Sequence, residues 1–291
     1  MEIFELKYFL AVAQGESVNR AAEKINVSAG SLSKAISRLE AELNTPLFFK
    51  SGRRIRLTPE GHHLKKRAAS IVALEEDVKL ELKGHRVGSV NVYISASEVL
   101  HSSFGVNLAK RINTLVPHAR IQFLLRSESE SIQQVAEGEA HLAIITQSPP
   151  KNMASKVLQN IEFKTCASSA HPLLKNKSSR RKIPVEELLD FPFATLEPGL
   201  LGKIARSNSN DGWRDDKLSR NIKYKACGLK LTENLVQSGL ALAYLPEYII
   251  EASDLKALNV SNCPFSCKQT VRILAKDPAE LSWLNLLWDR I

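Results

Sequence analysis

The stretch RAAEKINVSAGSLSKAISRLEAEL, from Arg20 to Leu43, carries two apolar stripes at helical spacing with almost no chain between them. Ala21, Ala22 and Ile25 form the first stripe, and Leu32, Ala35, Ile36 and Leu39 form the second. Both need a core to pack against. Ser28 stands where its hydroxyl can accept from the free amides of a new helix, so a second helix is expected to begin there. The opposite face, Ala29, Gly30, Ser31, Ser33, Lys34, Ser37 and Arg38, is short, hydroxylated and cationic. Such a face suits close approach to another surface.

The chain has 291 residues, 44% hydrophobic and 24% charged, enough for a sizeable core and more than one domain. No apolar run reaches membrane-spanning length, and the start MEIFELKYFLAVAQGES has acidic residues where a secretory signal needs a basic one. A cytoplasmic protein with no membrane partner is expected. The formal net charge of +9 favours a polyanionic partner.

Location of the charge narrows this. Between Lys50 and Arg67 lie Lys50, Arg53, Arg54, Arg56, Lys65, Lys66 and Arg67 against one acid, Glu60. Gly52 and the alternation Arg54, Ile55, Arg56, Leu57 predict a tight hairpin with arginines on one side and apolar residues on the other. Cations hold phosphates irrespective of sequence, whereas a helix face in the major groove reads base edges. The candidate DNA-binding residues are therefore Ser28, Ala29, Gly30, Ser31, Ser33, Lys34, Arg38, Arg53, Arg54 and Arg56. Of these, Ser31, Ser33 and Arg38 are expected nearest the bases, with Lys34 and the hairpin arginines on phosphates or the minor groove. A helical hairpin packed on another protein domain is the competing reading, and the basic hairpin weighs against it.

The segment LKYFLAVAQGESVNRAAEKINVSAGSLSKAISRLEAELNTPLFFKSGRRIRLTPEG resembles the amino-terminal unit of the LysR-type transcriptional regulators, and the resemblance extends over essentially the whole chain. Ala29 and Gly30 replace the usual polar or Pro residues, Asn44 stands where Gly is common, and Lys50 where Arg is usual. The resemblance implies an α/β protein overall: an all-α winged helix-turn-helix domain at 1–58, a linker and dimerisation helix with its hinge at 59–87, and a two-lobed effector-binding domain at 88–291 resembling periplasmic binding proteins. Lobe I is expected at about 88–161 and 266–291, lobe II at about 162–265. A homodimer or homotetramer, contact with RNA polymerase, and activation as often as repression are further implications.

The residues support this arrangement independently. Thr58, Pro59 and Glu60 make a helix start. Leu64, Ala68, Ile71, Leu74, Val78 and Leu82 then form a stripe near heptad spacing, which self-association would bury, or alternatively the chain's own carboxyl-terminal domain. Gly84 and Gly88 break the helix before strand-like Val90–Ile94. Alternating helices and strands follow: helix from about Val99 to Leu115, strand Ile121–Leu125, helix from about Ser131, strand Leu142–Ile145. This predicts a parallel sheet covered by helices. FPFATLE, NIKYKAC and GLALAYLP read as strands of a second such unit, QTVRILAKD as a late returning strand, and PAELSWLNLLWDRI as an amphipathic helix.

Two such lobes leave a cleft at the carboxyl ends of their strands. By position, the resemblance places Ser95, Ala96 and Ser97 in the first ligand-holding loop, with Ser129, Thr146, Thr195 and Cys227 as looser candidates for an unidentified small-molecule effector. A helix start with serine hydroxyls suits an anion, but Ser95 and Glu98 also have capping-box spacing, and Glu98 would repel an anion. Cys166, Cys227, Cys263 and Cys267 raise a redox-responsive alternative of the same architecture, against the reducing cytosol. His62, His63, His85, His101, His118, His141 and His171 show no metal spacing, and no phosphate loop or nucleophile elbow is present, so no metal, cofactor or catalytic residue is expected. An enzyme or a transport-type solute-binding protein carrying a helix-turn-helix is the remaining alternative.

Overall fold

The structure is a computed structural model and describes residues 1–52, 54–82, 90–174, 182–196 and 211–291. The expected hinge with Gly84, His85 and Gly88 lies outside the described residues. Helices α1 (Ile3–Gly15), α2 (Val18–Lys24) and α3 (Ala29–Leu43) precede the strands β1 (Phe48–Ser51) and β2 (Arg54–Leu57) and the long helix α4 (Pro59–Leu82). The stripes of α2 and α3 find their core on α1: Ala21, Ala22, Leu32, Ile36 and Leu39 are buried with Leu6, Phe9 and Val12. Ser28 starts α3, its hydroxyl accepting the Ser31 N–H at 3.0 Å. Asn44 ends it at φ 48°, a left-handed conformation that Asn adopts more readily than other non-glycine residues, which explains the exchange for Gly.

The hairpin is antiparallel, pairing Phe48 with Leu57 and Ser51 with Arg54. Ile55 and Leu57 pack on the core while Arg54 and Arg56 stay exposed. Glu40 ties the hairpin to α3 by accepting the N–H groups of Leu47 and Phe48 at 2.7 and 3.1 Å. The Thr58 hydroxyl donates to the Pro46 carbonyl at 2.8 Å and accepts the Gly61 N–H at 2.9 Å. A Cβ on Gly61 would lie 2.2 Å from the Leu47 carbonyl oxygen, so the helix start and the hairpin entry approach as closely as backbones can.

Helix α4 serves three surroundings with three faces. Leu64, Ala68 and Val72 join the amino-terminal core. A second face docks on the carboxyl-terminal part of the chain: buried Asp77 accepts the N–H and the hydroxyl of Ser282, both at 2.9 Å, Lys65 pairs with Glu139, and Lys66 lies 3.2 Å from Glu137. The third carries Ile71, Leu74, Val78 and Leu82, all exposed, Leu82 by 83%. The heptad-like stripe is thus divided: its first turns pack at home and its later ones remain open, Ile71 and Leu74 bordering a space shared with the carboxyl-terminal part, while the hydrogen bonds and ion pairs to that part come from other residues.

That part contains β3 (Asn91–Ala96), α5 (Glu98–Leu100), a π-helical turn at His101–Gly105, α6 (Val106–Leu115), β4 (Arg120–Leu125), α7 (Glu128–Glu137), β5 (Leu142–Ile145) and β6 (Ala154–Ala167). There follow β7 (Ile183–Pro184), α8 (Val185–Leu189), β8 (Pro192–Leu196), β9 (Asn221–Ala226), α9 (Leu229–Gln237), β10 (Ala243–Pro246), α10 (Glu247–Ala252), β11 (Lys256–Ala257), β12 (Val260–Ser261), β13 (Lys268–Ala275) and α11 (Ser282–Arg290). Strand β3 lies parallel between β4 and β5, and β13 runs antiparallel between β5 and β6. At its far end β6 pairs antiparallel with β10, and parallel β8 and β9 join through the bridge between Phe193 and Leu242. The sheet therefore continues from one half to the other through β6. This strand escapes sequence reading because its first half, ASKVLQN, is largely polar and half-exposed, and only Ile161 to Ala167 reads as a buried strand.

In the second half, the guanidinium of buried Arg220 bonds Asp211 and Asp215 at 2.7 and 2.8 Å and lies 5.1 and 5.4 Å from the Trp213 and Phe193 ring centres. Pairing and stacking together satisfy a charge that burial alone would expel.

Gly61→Ala should lower the unfolding free energy of the amino-terminal domain by about 1–3 kcal/mol through overpacking. Gly52→Ala, at φ +63° with open space around its Cβ, should lower it by about 1 kcal/mol. Denaturant titration of the two variants checks the order.

Candidate nucleic-acid interface and effector cleft

The outward face of α3 is open: Ser28, Gly30, Ser31, Ser33, Lys34, Ser37 and Arg38 are exposed and Ala29 is half-buried. The Ser28 and Ser31 hydroxyls are 2.8 Å apart, so the cap orders the first turn of that face. Arg54 and Arg56 project from the hairpin, and Arg53 lies outside the described residues. Arg54 approaches Glu16 at 3.5 Å, and the Ile55 N–H donates to the Glu16 carbonyl at 3.2 Å, which docks the hairpin on the α1–α2 turn. There Gln14, Ser17, Arg20 and Arg54 line a polar concavity of about 340 Å³. Arg20 is a cation the sequence reading passed over, because only the fold brings the amino end of α2 to the hairpin. Its signal was its place three residues after the helix cap Ser17.

Arg38 has a partner of its own. Its Nε–H donates to Glu5, whose side chain is 1% exposed against 59% for Arg38, and its guanidinium lies 5.4 Å from the Phe4 ring centre. Glu5 also accepts the Glu2 N–H at 2.7 Å, closing the cap of α1. Burial pushes the Glu5 carboxyl upward, but the Glu2 amide and Arg38 outweigh it and hold the group below its ordinary range. Arg38 is therefore a strut between α3 and α1 as well as a surface cation, unlike Ser31, Ser33 and Lys34.

In the carboxyl-terminal part the loops after β3, β4 and β5 share one sheet edge, as the parallel order of these strands requires. Ser95 is fully buried, and its hydroxyl bonds Ser131 Oγ at 3.0 Å and Gln134 Oε1 at 2.8 Å. It is neither exposed to a ligand nor a cap for the next helix, so the capping-box reading of Ser95 and Glu98 does not hold. Ser97 is the N-cap residue, and its hydroxyl is enclosed without a hydrogen-bond partner. Ala96 is buried and supplies its carbonyl to the Arg126 N–H at 3.0 Å. Ser129 is exposed in the first turn of α7. The Thr146 hydroxyl donates to buried Glu128 at 2.6 Å. Thr195 is half-buried on β8, opposite Lys225 of β9, and Cys227 is exposed between β9 and α9. A Cβ on Gly228 would lie 3.5 Å from Glu98 Oε2, so Glu98 spans from the first half to the helix start of the second.

The thiols differ sharply in setting. Burial pushes Cys166 up to about 12 and Cys267 up to about 11, which keeps them protonated and unreactive. Half-buried Cys263 donates to the Phe265 carbonyl at 3.2 Å. No cluster of three or more metal-ligating side chains occurs among the described residues, and no helix among them is long and apolar enough to cross a membrane.

Residues 3–62 match the bacterial regulatory helix-turn-helix protein, lysR family, and residues 88–289 match the LysR substrate binding domain. The chain belongs to the LysR family. It is a DNA-binding transcriptional regulator with an effector-binding domain. Curated relatives include the HTH-type transcriptional regulator IlvY of Escherichia coli, 25% identical over 87% of this chain and 84% of that protein. The transcriptional dual regulator GltC of Bacillus subtilis is 28% identical over 85% and 81%. A full-length OxyR variant from Pseudomonas aeruginosa superposes with a TM-score of 0.67 at 20% identity, covering 99% of this chain and 94% of that one. Full-length CbnR complexed with its target DNA gives 0.60 at 17%, covering 100% and 99%. These likenesses establish a common fold along the whole LysR-type chain.

Because its folded carboxyl titrates below the ordinary 4.5, Glu5 contributes stability that is fully present above that value and is lost as pH falls through the folded one. The melting midpoint of the parent should drop steeply on acidification from about pH 5 to about pH 3. Glu5→Gln should start lower and drop less over the same interval, as followed by circular dichroism.

Proposed function

We propose that the outward face of α3 enters the major groove of double-stranded DNA, with Ser31, Ser33 and Lys34 at base edges and phosphates. Ser28 orders the first turn, Ala29 and Gly30 allow close approach, and Arg20, Arg54, Arg56 and Arg53 clamp the flanking backbone. Arg38 contributes mainly by holding α3 on α1. The observation that carries this reading is the unobstructed small polar face of α3 beside exposed hairpin arginines. Domain boundaries at 1–58, 59–87 and 88–291, with lobes meeting across β6 and β13, fit this division of labour.

Burial of Ile71, Leu74, Val78 and Leu82 against a second subunit gives a dimer or tetramer and a partly palindromic operator. The protein acts in the cytoplasm, contacts RNA polymerase and has no enzymatic activity, in keeping with relatives named as transcriptional regulators. Its effector is a small molecule bound between the halves, placing an acceptor group on the unpartnered Ser97 hydroxyl and a donor group near Glu98, with Thr195 and Cys227 across the cleft. This modifies the purely anionic ligand suited to a helix start, since Glu98 occupies part of that position.

Selection of bound duplexes from a random pool, with and without metabolite mixtures, tests the reading as a whole, and no enrichment over random sequence would refute it. Arg54→Ala should weaken binding to all duplexes alike and reduce the slope of log affinity against log salt by about 0.9, one phosphate contact. In a thermal-shift screen with small acids and amino acids, the compound that raises the parent's midpoint should lose at least tenfold in affinity for Ser97→Ala, with operator binding unchanged.

A further inference from the structure

A cavity of about 270 Å³ lies at the joint between α4 and the effector-binding domain, away from both the DNA-binding face and the cleft. Its walls are mainly aliphatic and come from both bodies: Ala69 and Ala73 of α4 face Val135, Ala140 and Leu284, and Ile71 and Leu74 of the helix's exposed face border it. Fixed contacts bracket it. A Cβ on Gly138, at φ +74°, would lie 3.4 Å from Ala69 Cβ, the lysine pairs of the first turns lie beyond, and Asp77 holds Ser282 at the other end. Packed and hydrogen-bonded structure thus holds both ends of the space.

Four kinds of polar group meet this apolar space, one of them the Ser70 hydroxyl, which donates to the Lys66 carbonyl of its own helix at 3.4 Å. His141 lines it with a ring that stacks on Tyr93 at 5.7 Å, meets Trp283 edge-on at 5.5 Å, and accepts the Tyr93 N–H at Nδ1. Burial lowers this imidazole to about 4, so it adds no charge at neutral pH. Lys276 lines the cavity without an ion-pair partner among the described residues, whereas Asp277 and Glu280 put carboxylates at the same rim. The donor calls for an acceptor, and the two carboxylates disfavour a ligand that is itself an anion.

We infer that this cavity binds a neutral small molecule with a one- or two-ring apolar body and a single hydrogen-bond acceptor, the acceptor meeting the Lys276 ammonium. An apolar cavity of about 150 Å³ holds benzene, so the space here accommodates a ring with a substituent. Because the walls belong to α4 and to the effector-binding domain together, occupancy stabilises their docked arrangement, the one the ligand selects.

Thermal melting of the full-length protein with acetophenone, and with ethylbenzene as the analogue lacking the acceptor, tests this. Acetophenone should raise the midpoint saturably by roughly 2–4 °C at about ten times its dissociation constant, and ethylbenzene should bind at least threefold more weakly. Ala73→Phe, which fills the space, should abolish both responses. Lys276→Met, at the rim and without effect on the core, should reduce acetophenone to the affinity of ethylbenzene. A parent that shows no saturable response overturns the inference, as does a response that both variants leave unchanged. If the parent is unresponsive and Ala73→Phe alters the sedimentation of the subunits, a second copy of the chain fills the cavity and the inference fails.

Discussion

Everything downstream of the DNA-binding domain is oriented by the contact between the first turn of α4 and the entry to the hairpin. Gly61 sits against the Leu47 carbonyl, and Thr58 bridges Pro46 and the Gly61 amide. No side chain fits between them. The helix axis is therefore fixed relative to the arginine-bearing hairpin, and a helix of this length carries that direction across the molecule. The Leu-Thr-Pro-Glu-Gly segment reads in this light as a mechanical joint: a cap, a preorganised first turn and a residue small enough to close it.

The amino-terminal domain was legible in the sequence because its local signals agree. Two helical stripes, a capping serine, a glycine turn and an alternating basic strand each point to the same arrangement, and consistency across levels marks a well-specified fold. The carboxyl-terminal halves were legible as alternating helices and strands. What escaped was long-range. The polar first half of β6 pairs with β13, and only its second half reaches β10, so the first half reads as loop because its partner is more than a hundred residues away in sequence. Ser95 resembled a ligand residue until Ser131 and Gln134 claimed its hydroxyl. Arg38 looked free for DNA until α1 supplied Glu5. In each case local spacing identified a capable group, and tertiary contact gave it an intramolecular partner that spacing could not foresee.

Helix α4 is where the two functions meet. Lys65 and Lys66 belong by sequence to the basic block that begins at the hairpin, yet both are paired with acids of the effector-binding domain. Charge that neutralises Glu137 and Glu139 is withheld from a polyanion, and release of that contact would return it. Together with Asp77 on Ser282, these pairs dock the long helix on the domain it supports through polar contacts at both ends of the shared face.

The path of the chain through the sheet has a consequence for biosynthesis. Strand β13 lies between β5 and β6, so the first half of the effector-binding domain stays open along that edge until residues 268–275 have been translated. The DNA-binding domain has no such dependence and is complete as soon as the first turns of α4 emerge. During synthesis of everything between Ala167 and Lys268, β5 and β6 therefore lack the partner that will join them, a wait that the amino-terminal core never faces.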